Sequence, residues 1–222
     1  MFASCWSVKG GSGTTVVAAS LAVLLARAPE PGVLLVDLAG DAPAALGLPE
    51  PTGLGLADWL AAGSDVPADG LGRLEVAVAD RLALLTRGRG PLEPVERVEV
   101  LAGILSGEDR SVVIDCGIPT WTPSGVGDAA AVLAASAVDS LLVTRGCYLA
   151  LRRLVAAPLR PSGIVLVSEP GRALGRRDVE DVVGSPVVAE VAVEAGVARA
   201  VDAGLLGSRL PRGLERALGR AR

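Results

Sequence analysis

The chain has 222 residues, half of them hydrophobic, and a formal net charge of −4, so it is long enough to bury one substantial core and too acidic for avid nonspecific binding to a nucleic acid. It has no histidine, which removes imidazole general bases, histidine metal sites and a Ser-His-Asp triad. Cys5, Cys116 and Cys147 are odd in number and widely spaced, and are expected to be small buried hydrophobes of a reducing, cytoplasmic protein rather than a disulfide frame or zinc site.

Phe2 to Val8 is a short apolar run, Lys9 to Thr15 is rich in glycine, and Thr14 to Arg27 has the length and composition of a helix stopped by Pro29 and Pro31. The run Val16 to Ala26 ahead of Ala26-Arg27-Ala28 also imitates a signal peptide. Such a peptide has no need of Gly10, Gly11 and Gly13. Val33 to Val36 reads as a buried strand ending in Asp37. Pro49 to Gly72 is the longest irregular region, with a short helix around Leu56 to Ala62. Leu74 to Val78 and Leu82 to Thr86 read as a strand pair near an edge. Ser111 to Ile114, ending in Asp115-Cys116-Gly117, Ser140 to Thr144, Gly163 to Ser168 and Pro186 to Val191 complete the strands. Continuous apolar strands alternating with helical stretches predict an α/β fold, a mostly parallel sheet covered by helices on both faces, in a single domain spanning 1–222. No apolar run reaches the ~18 residues of a membrane-spanning helix. Pro211 to Arg222 reads as a helix with Leu214, Ala217, Leu218 and Ala221 on one side. That face is short and lacks aromatics, which suits packing on the sheet or a partner and limits membrane association to a peripheral one.

Lys9 is the only lysine among 21 basic residues, and it opens the glycine loop, where a flexible ammonium differs in kind from a guanidinium fork. Gly10, Gly11 and Gly13 let the backbone of Gly10-Gly11-Ser12-Gly13-Thr14-Thr15 turn tightly and aim its amides at an anion, reinforced by the helix that follows. A phosphate is the natural occupant. Thr15 would place its hydroxyl on Mg²⁺, and Asp115, at the end of a later strand, would hold that ion through water. Asp37 closes the neighbouring strand, where an acid can orient an attacking water, with Asp41 one helical turn beyond.

Lys9 to Thr15, Val36-Asp37 and Val113-Ile114-Asp115-Cys116-Gly117 resemble the ParA/MinD superfamily of deviant Walker ATPases, and within it the pilus-assembly branch typified by CpaE and TadZ. Asp37 to Leu48 looks like a shortened version of that branch's second motif, and Val191 to Gly204 resembles the region where the superfamily places a loop near the base, then a helix. The resemblance implies a P-loop NTPase fold, ATP and Mg²⁺ as cofactors, and a nucleotide-promoted homodimer in which Lys9 reaches the partner's phosphates. It also implies pilus or secretion machinery as the partner. Thr14 departs from the pattern, since it stands where a Walker loop has lysine. Ser168 replaces a frequent base-reading Asn, and Ala192 and Glu194 replace the usual Pro and Asp. Three readings follow. One is an ATP-binding dimerising switch with weak or absent hydrolysis, another a pseudo-ATPase scaffold, and the third a DNA-partitioning protein.

Overall fold

The computed structural model describes residues 1–28, 31–63, 70–125 and 127–219. Its centre is strand β1 (Phe2–Trp6), buried along its whole length. On one side lie β5 (Ser111–Asp115), β2 (Val33–Asp37), β4 (Leu82–Leu85) and β3 (Glu75–Ala79). On the other lie β6 (Asp139–Arg145), β7 (Gly163–Ser168) and β8 (Val187–Ala192). The resulting eight-stranded order is β3-β4-β2-β5-β1-β6-β7-β8. All pairings are parallel except β3 with β4, so the pair expected near an edge is an antiparallel hairpin. Arg110, ahead of β5, forks onto both carboxylate oxygens of Glu75 on the outermost strand, at 2.8 Å each.

Alternation along the strands divides the interior into two layers. Leu34 and Val36 join Phe2, Trp6, Ile114 and Ile164 on one face, covered by helices α3 (Leu56–Ala61), α4 (Val95–Ser106), α5 (Ala129–Ser136), α6 (Tyr148–Ala156) and α7 (Arg176–Val183). Val33 and Leu35 join Cys5, Val113 and Val165 on the other, covered by α1 (Thr14–Ala26), α2 (Ala42–Leu46), α8 (Ala195–Asp202) and α9 (Arg212–Leu218). Strands wet on neither side need no polar alternation, which is why they read as continuous apolar runs. The run Val16 to Ala26 lies in α1, packed among the sheet, α2 and α9. At the sheet's centre the buried indole N–H of Trp6 donates to Ser140 Oγ at 3.0 Å.

Two backbone contacts hold the loops at the carboxyl edge. Gly55 and Gly88 meet so closely that a Cβ on Gly55 would lie 2.4 Å from the Gly88 nitrogen. There Leu56 N–H donates to the Thr86 carbonyl and Ala57 N–H to the Arg87 carbonyl, at 2.8 and 2.9 Å. Gly47, after α2, meets Gly204, after α8, where a Cβ would lie 2.1 Å from the Gly204 oxygen. The expected short helix in the irregular region is α3; residues 64–69 of that region lie outside the described residues, as do Pro29 and Ala221. Helix α9 packs on β8 and α1, burying Leu214 and Leu218 as the amphipathic reading expected. Among the described residues no helix is long and apolar enough to cross a membrane. All three cysteines are free; Cys5 and Cys116 are buried and Cys147 is half-buried.

Candidate functional site

The parallel strands all end on one edge, and the loops leaving β1, β2, β4 and β5 enclose a cavity of about 840 Å³. The loop between β1 and α1 forms its floor. It turns at Gly11 and Gly13, with φ of 73° and 90°, angles that favour glycine. Its core is the Lys9 carbonyl, which accepts Ser12 Oγ at 2.7 Å and Ser7 Oγ at 3.2 Å. The first helix-closing bond comes only at Val17 N–H, donated to Gly13 O at 3.0 Å. Among the described residues no backbone acceptor takes the N–H groups of Gly10, Gly11 and Gly13 through Val16, while Ser12 lies at the end of a turn closed on the Lys9 carbonyl. Gly10 to Thr15, the expected phosphate-binding residues, all line the cavity. Unpaired donors at the positive end of a helix attract an anion.

Asp37 and Asp115 are register partners on adjacent strands, both fully buried, yet they differ in use. Asp37 Oδ1 accepts Gly40 N–H at 2.7 Å and Oδ2 accepts Ala42 N–H at 3.1 Å, so this carboxylate shapes the loop leading into α2. Burial raises its pKa, partly offset by those amides. Asp115 Oδ1 accepts Gly117 N–H at 3.1 Å, whereas Oδ2 is buried without a hydrogen-bond partner. Desolvation pushes the Asp115 carboxyl up to about 6, with the Thr15 hydroxyl close enough to draw it partly back. An orphaned carboxylate oxygen beside a hydroxyl fits a water-mediated divalent cation. Among the described residues no cluster of three acidic or cysteine ligands would hold a metal unaided. The donor set therefore suits Mg²⁺ that brings phosphate oxygens and water with it.

Asp41 lines the cavity and is exposed. Lys9 does not line it. Its ammonium lies 3.4 Å from the Gly10 carbonyl and its charge is felt by Glu169, beyond the end of β7. Thr14 is buried in the wall at 7% exposure, a neutral side chain at the lysine position. The residues expected near a base, Ser168, Ala192 and Glu194, lie outside the cavity. Ser168 instead offers its carbonyl to Val193 N–H at 2.9 Å.

The far wall was not foreseen. Arg87 follows β4, Leu92 and Glu93 belong to the loop before α4, Asp128 caps α5 by accepting Ala131 N–H at 2.9 Å, and Val201 comes from α8; all line the cavity. The one available signal was position, since Arg87 stands at the carboxyl end of a parallel strand, where α/β sheets gather ligands.

By sequence, no family model and no curated protein matches the chain. By structure it resembles a ParA family ATPase from Chlorobium tepidum TLS (TM-score 0.75, 20% identity, 97% of this chain and 94% of that one). It also resembles the septum site-determining protein MinD of Pyrococcus horikoshii OT3 complexed with Mg-ADP (TM-score 0.73, 21% identity, 99% and 93% covered). The MinC:MinD cell division complex of Aquifex aeolicus gives a TM-score of 0.69 at 17% identity over 92% and 86%. Over nearly its whole length, the chain has the mostly parallel α/β fold of the ParA/MinD P-loop ATPases.

Proposed function

We propose that the chain binds ATP with Mg²⁺ at this cavity and dimerises through the same face when loaded. The loaded state would position, or help assemble, a Flp-type pilus or secretion system, with weak or absent hydrolysis. The observation that carries the nucleotide is the set of N–H groups without a backbone acceptor, Gly10, Gly11 and Gly13 to Val16, together with the unpartnered oxygen of Asp115. A polyphosphate with a divalent ion satisfies both at once. The pilus assignment rests on sequence resemblance, chiefly that of Asp37 to Leu48.

In this reading Gly10, Gly11, Ser12, Gly13 and Thr14 cradle phosphate through their amides. Thr15 and Asp115 hold the cation, which when bound neutralises phosphate charge. Asp37 keeps the loop before α2 in shape and, with the exposed, cavity-lining Asp41, would orient an attacking water. Lys9, which does not line its own cavity, would serve a second copy across the dimer. Thr14 removes a charge where it would act on the phosphates. The loss of one charged hydrogen bond costs about 1.5–3 kcal/mol, which binding survives more readily than a transition state whose charge it would stabilise.

The same neutral side chain favours a second reading, a pseudo-ATPase scaffold. Calorimetry decides between them: wild type should bind Mg·ATP, and Thr15→Ala should weaken triphosphate binding more than adenosine binding. Wild type without measurable affinity leaves the scaffold. A submicromolar, strongly salt-dependent affinity for random duplex DNA would instead revive partitioning.

A further inference from the structure

Among the described residues lining the cavity, Arg87 is the only cation, against three acids, Asp41, Glu93 and Asp128. A nucleotide polyphosphate entering such walls meets more negative than positive charge, and Thr14 contributes none. Resting on the nucleotide reading above, we propose that Arg87 supplies in cis the cationic contact to the nucleotide's phosphates that the loop's Thr14 lacks.

Three observations place it for that task. First, its guanidinium is pinned at the right level: Nη1 donates to the Leu38 carbonyl at 2.7 Å, and the N–H of Leu38 donates to the Asp115 carbonyl at 2.9 Å. A single residue thus separates the arginine from the backbone of the acid assigned to the metal. Second, the mount is stiff. The Arg87 carbonyl accepts Ala57 N–H at the start of α3, and the next residue, Gly88, is packed against Gly55. Third, the charge is uncommitted. Arg27, Arg110, Arg145, Arg172 and Arg176 each pair with a glutamate, whereas the half-buried Arg87 has no ion pair among the described residues. Its one contact uses one of five guanidinium N–H groups, and a fork with donors to spare suits phosphate oxygens.

Titration calorimetry with Mg·ATP and with AMP tests the assignment. Arg87→Ala should weaken Mg·ATP binding about ten- to a hundredfold, the loss of one charged hydrogen bond, and leave AMP binding nearly unchanged. Arg87→Lys, which keeps the charge and is the control should the alanine variant fold poorly, should retain most of the preference for triphosphate. The double variant Arg87→Ala/Thr14→Lys should recover it by returning the charge from the other wall. A residue that merely shapes the Leu38 loop would weaken ATP and AMP equally and would not respond to Thr14→Lys; that result overturns the proposal. So does an Arg87→Ala protein with wild-type affinity, which would leave the nucleotide reading standing. If wild type itself binds no nucleotide, that reading and this assignment fall together.

Discussion

At the carboxyl ends of β2 and β5 the acids are buried within the sheet edge, whereas at the ends of β7 and β8 the positions expected near a base are half-buried or exposed, and the acid beside β7, Glu169, is taken up by Arg145 and Arg172. In the first region Asp37 is held by two amides, Asp115 keeps one oxygen buried and unmatched, and Arg87 is fixed on the carbonyl between them. In the second, Ser168 gives its carbonyl to a neighbouring strand exit, and Ala192 and Glu194 face solvent. Burying a charged group is costly unless a partner or ligand answers for it. On the nucleotide reading proposed above, the first region would serve a polyanion and its cation, while the second offers little side chain with which to distinguish one base from another.

The largest test of that contrast is Asp115→Asn. Loss of the orphaned carboxylate should lower Mg²⁺-dependent triphosphate affinity about tenfold to a hundredfold, as expected for groups that support a metal from its outer sphere. Calorimetry at several Mg²⁺ concentrations would show it, and an undiminished Mg²⁺ dependence would break the comparison at its stronger end. Lys9→Ala should leave the affinity of an isolated subunit within about threefold of wild type, because the unpaired amides remain, but should abolish dimerisation promoted by ATP. Sedimentation with and without ATP reads this directly, and an unaltered association would remove the role across the dimer.

A pH series gives a smaller effect with a definite sign. Burial raises the folded-state pKa of Asp115 to about 6, above its unfolded value, and raises that of Asp37 as well. Protonation of Asp115 therefore favours the fold, and its contribution to the stability of nucleotide-free protein should rise as pH falls from 7 towards 4, by up to about 3 kcal/mol for a shift of this size, against the opposite contributions of Glu169 and Glu180, whose pKa values are lowered. Denaturant titrations should show that gain flattened in Asp115→Asn. Mg·ATP affinity should move oppositely, falling below pH ~6 as the proton takes the oxygen that the cation's water needs. Smallest of all, ATP and GTP should bind within about tenfold of each other, and Glu194→Ala should change neither by more than about twofold. A hundredfold preference would show that the second region reads a base after all.

Most of the architecture was legible because the central strands are buried on both sides: Val33 to Val36 and Ser111 to Ile114 announce themselves as apolar runs, and β1, the glycine loop and α1 are consecutive in sequence. The floor of the site was legible for the same reason, since Gly10 to Thr15 is one local structure. The wall was not. Arg87, Glu93 and Val201 become neighbours only once β4 lies beside β2 and α8 folds back on α2, and no spacing in the sequence encodes that. Nor does the sequence reveal that Asp37 and Asp115, each a strand-end acid, diverge: the difference lies in whether the following residues turn their amides back. Asp37 has Gly40 and Ala42 to do so, whereas for Asp115 the amide of Gly117 reaches only one oxygen.

The bare contact between Gly47 and Gly204 makes two distant positions behave as a single inherited character. What a new side chain would strike there is peptide rather than a yielding side chain, so rotamer changes offer no escape, and the relief left is to lever α8 away from α2. Val201 rides on α8 and would be carried outward, enlarging the chamber from behind. A methyl group remote from the glycine loop would thus act as a shim, retuning how long a nucleotide stays without touching it. Stopped-flow release from Gly204→Ala would register the change, and release at the wild-type rate would mean that the seam has give.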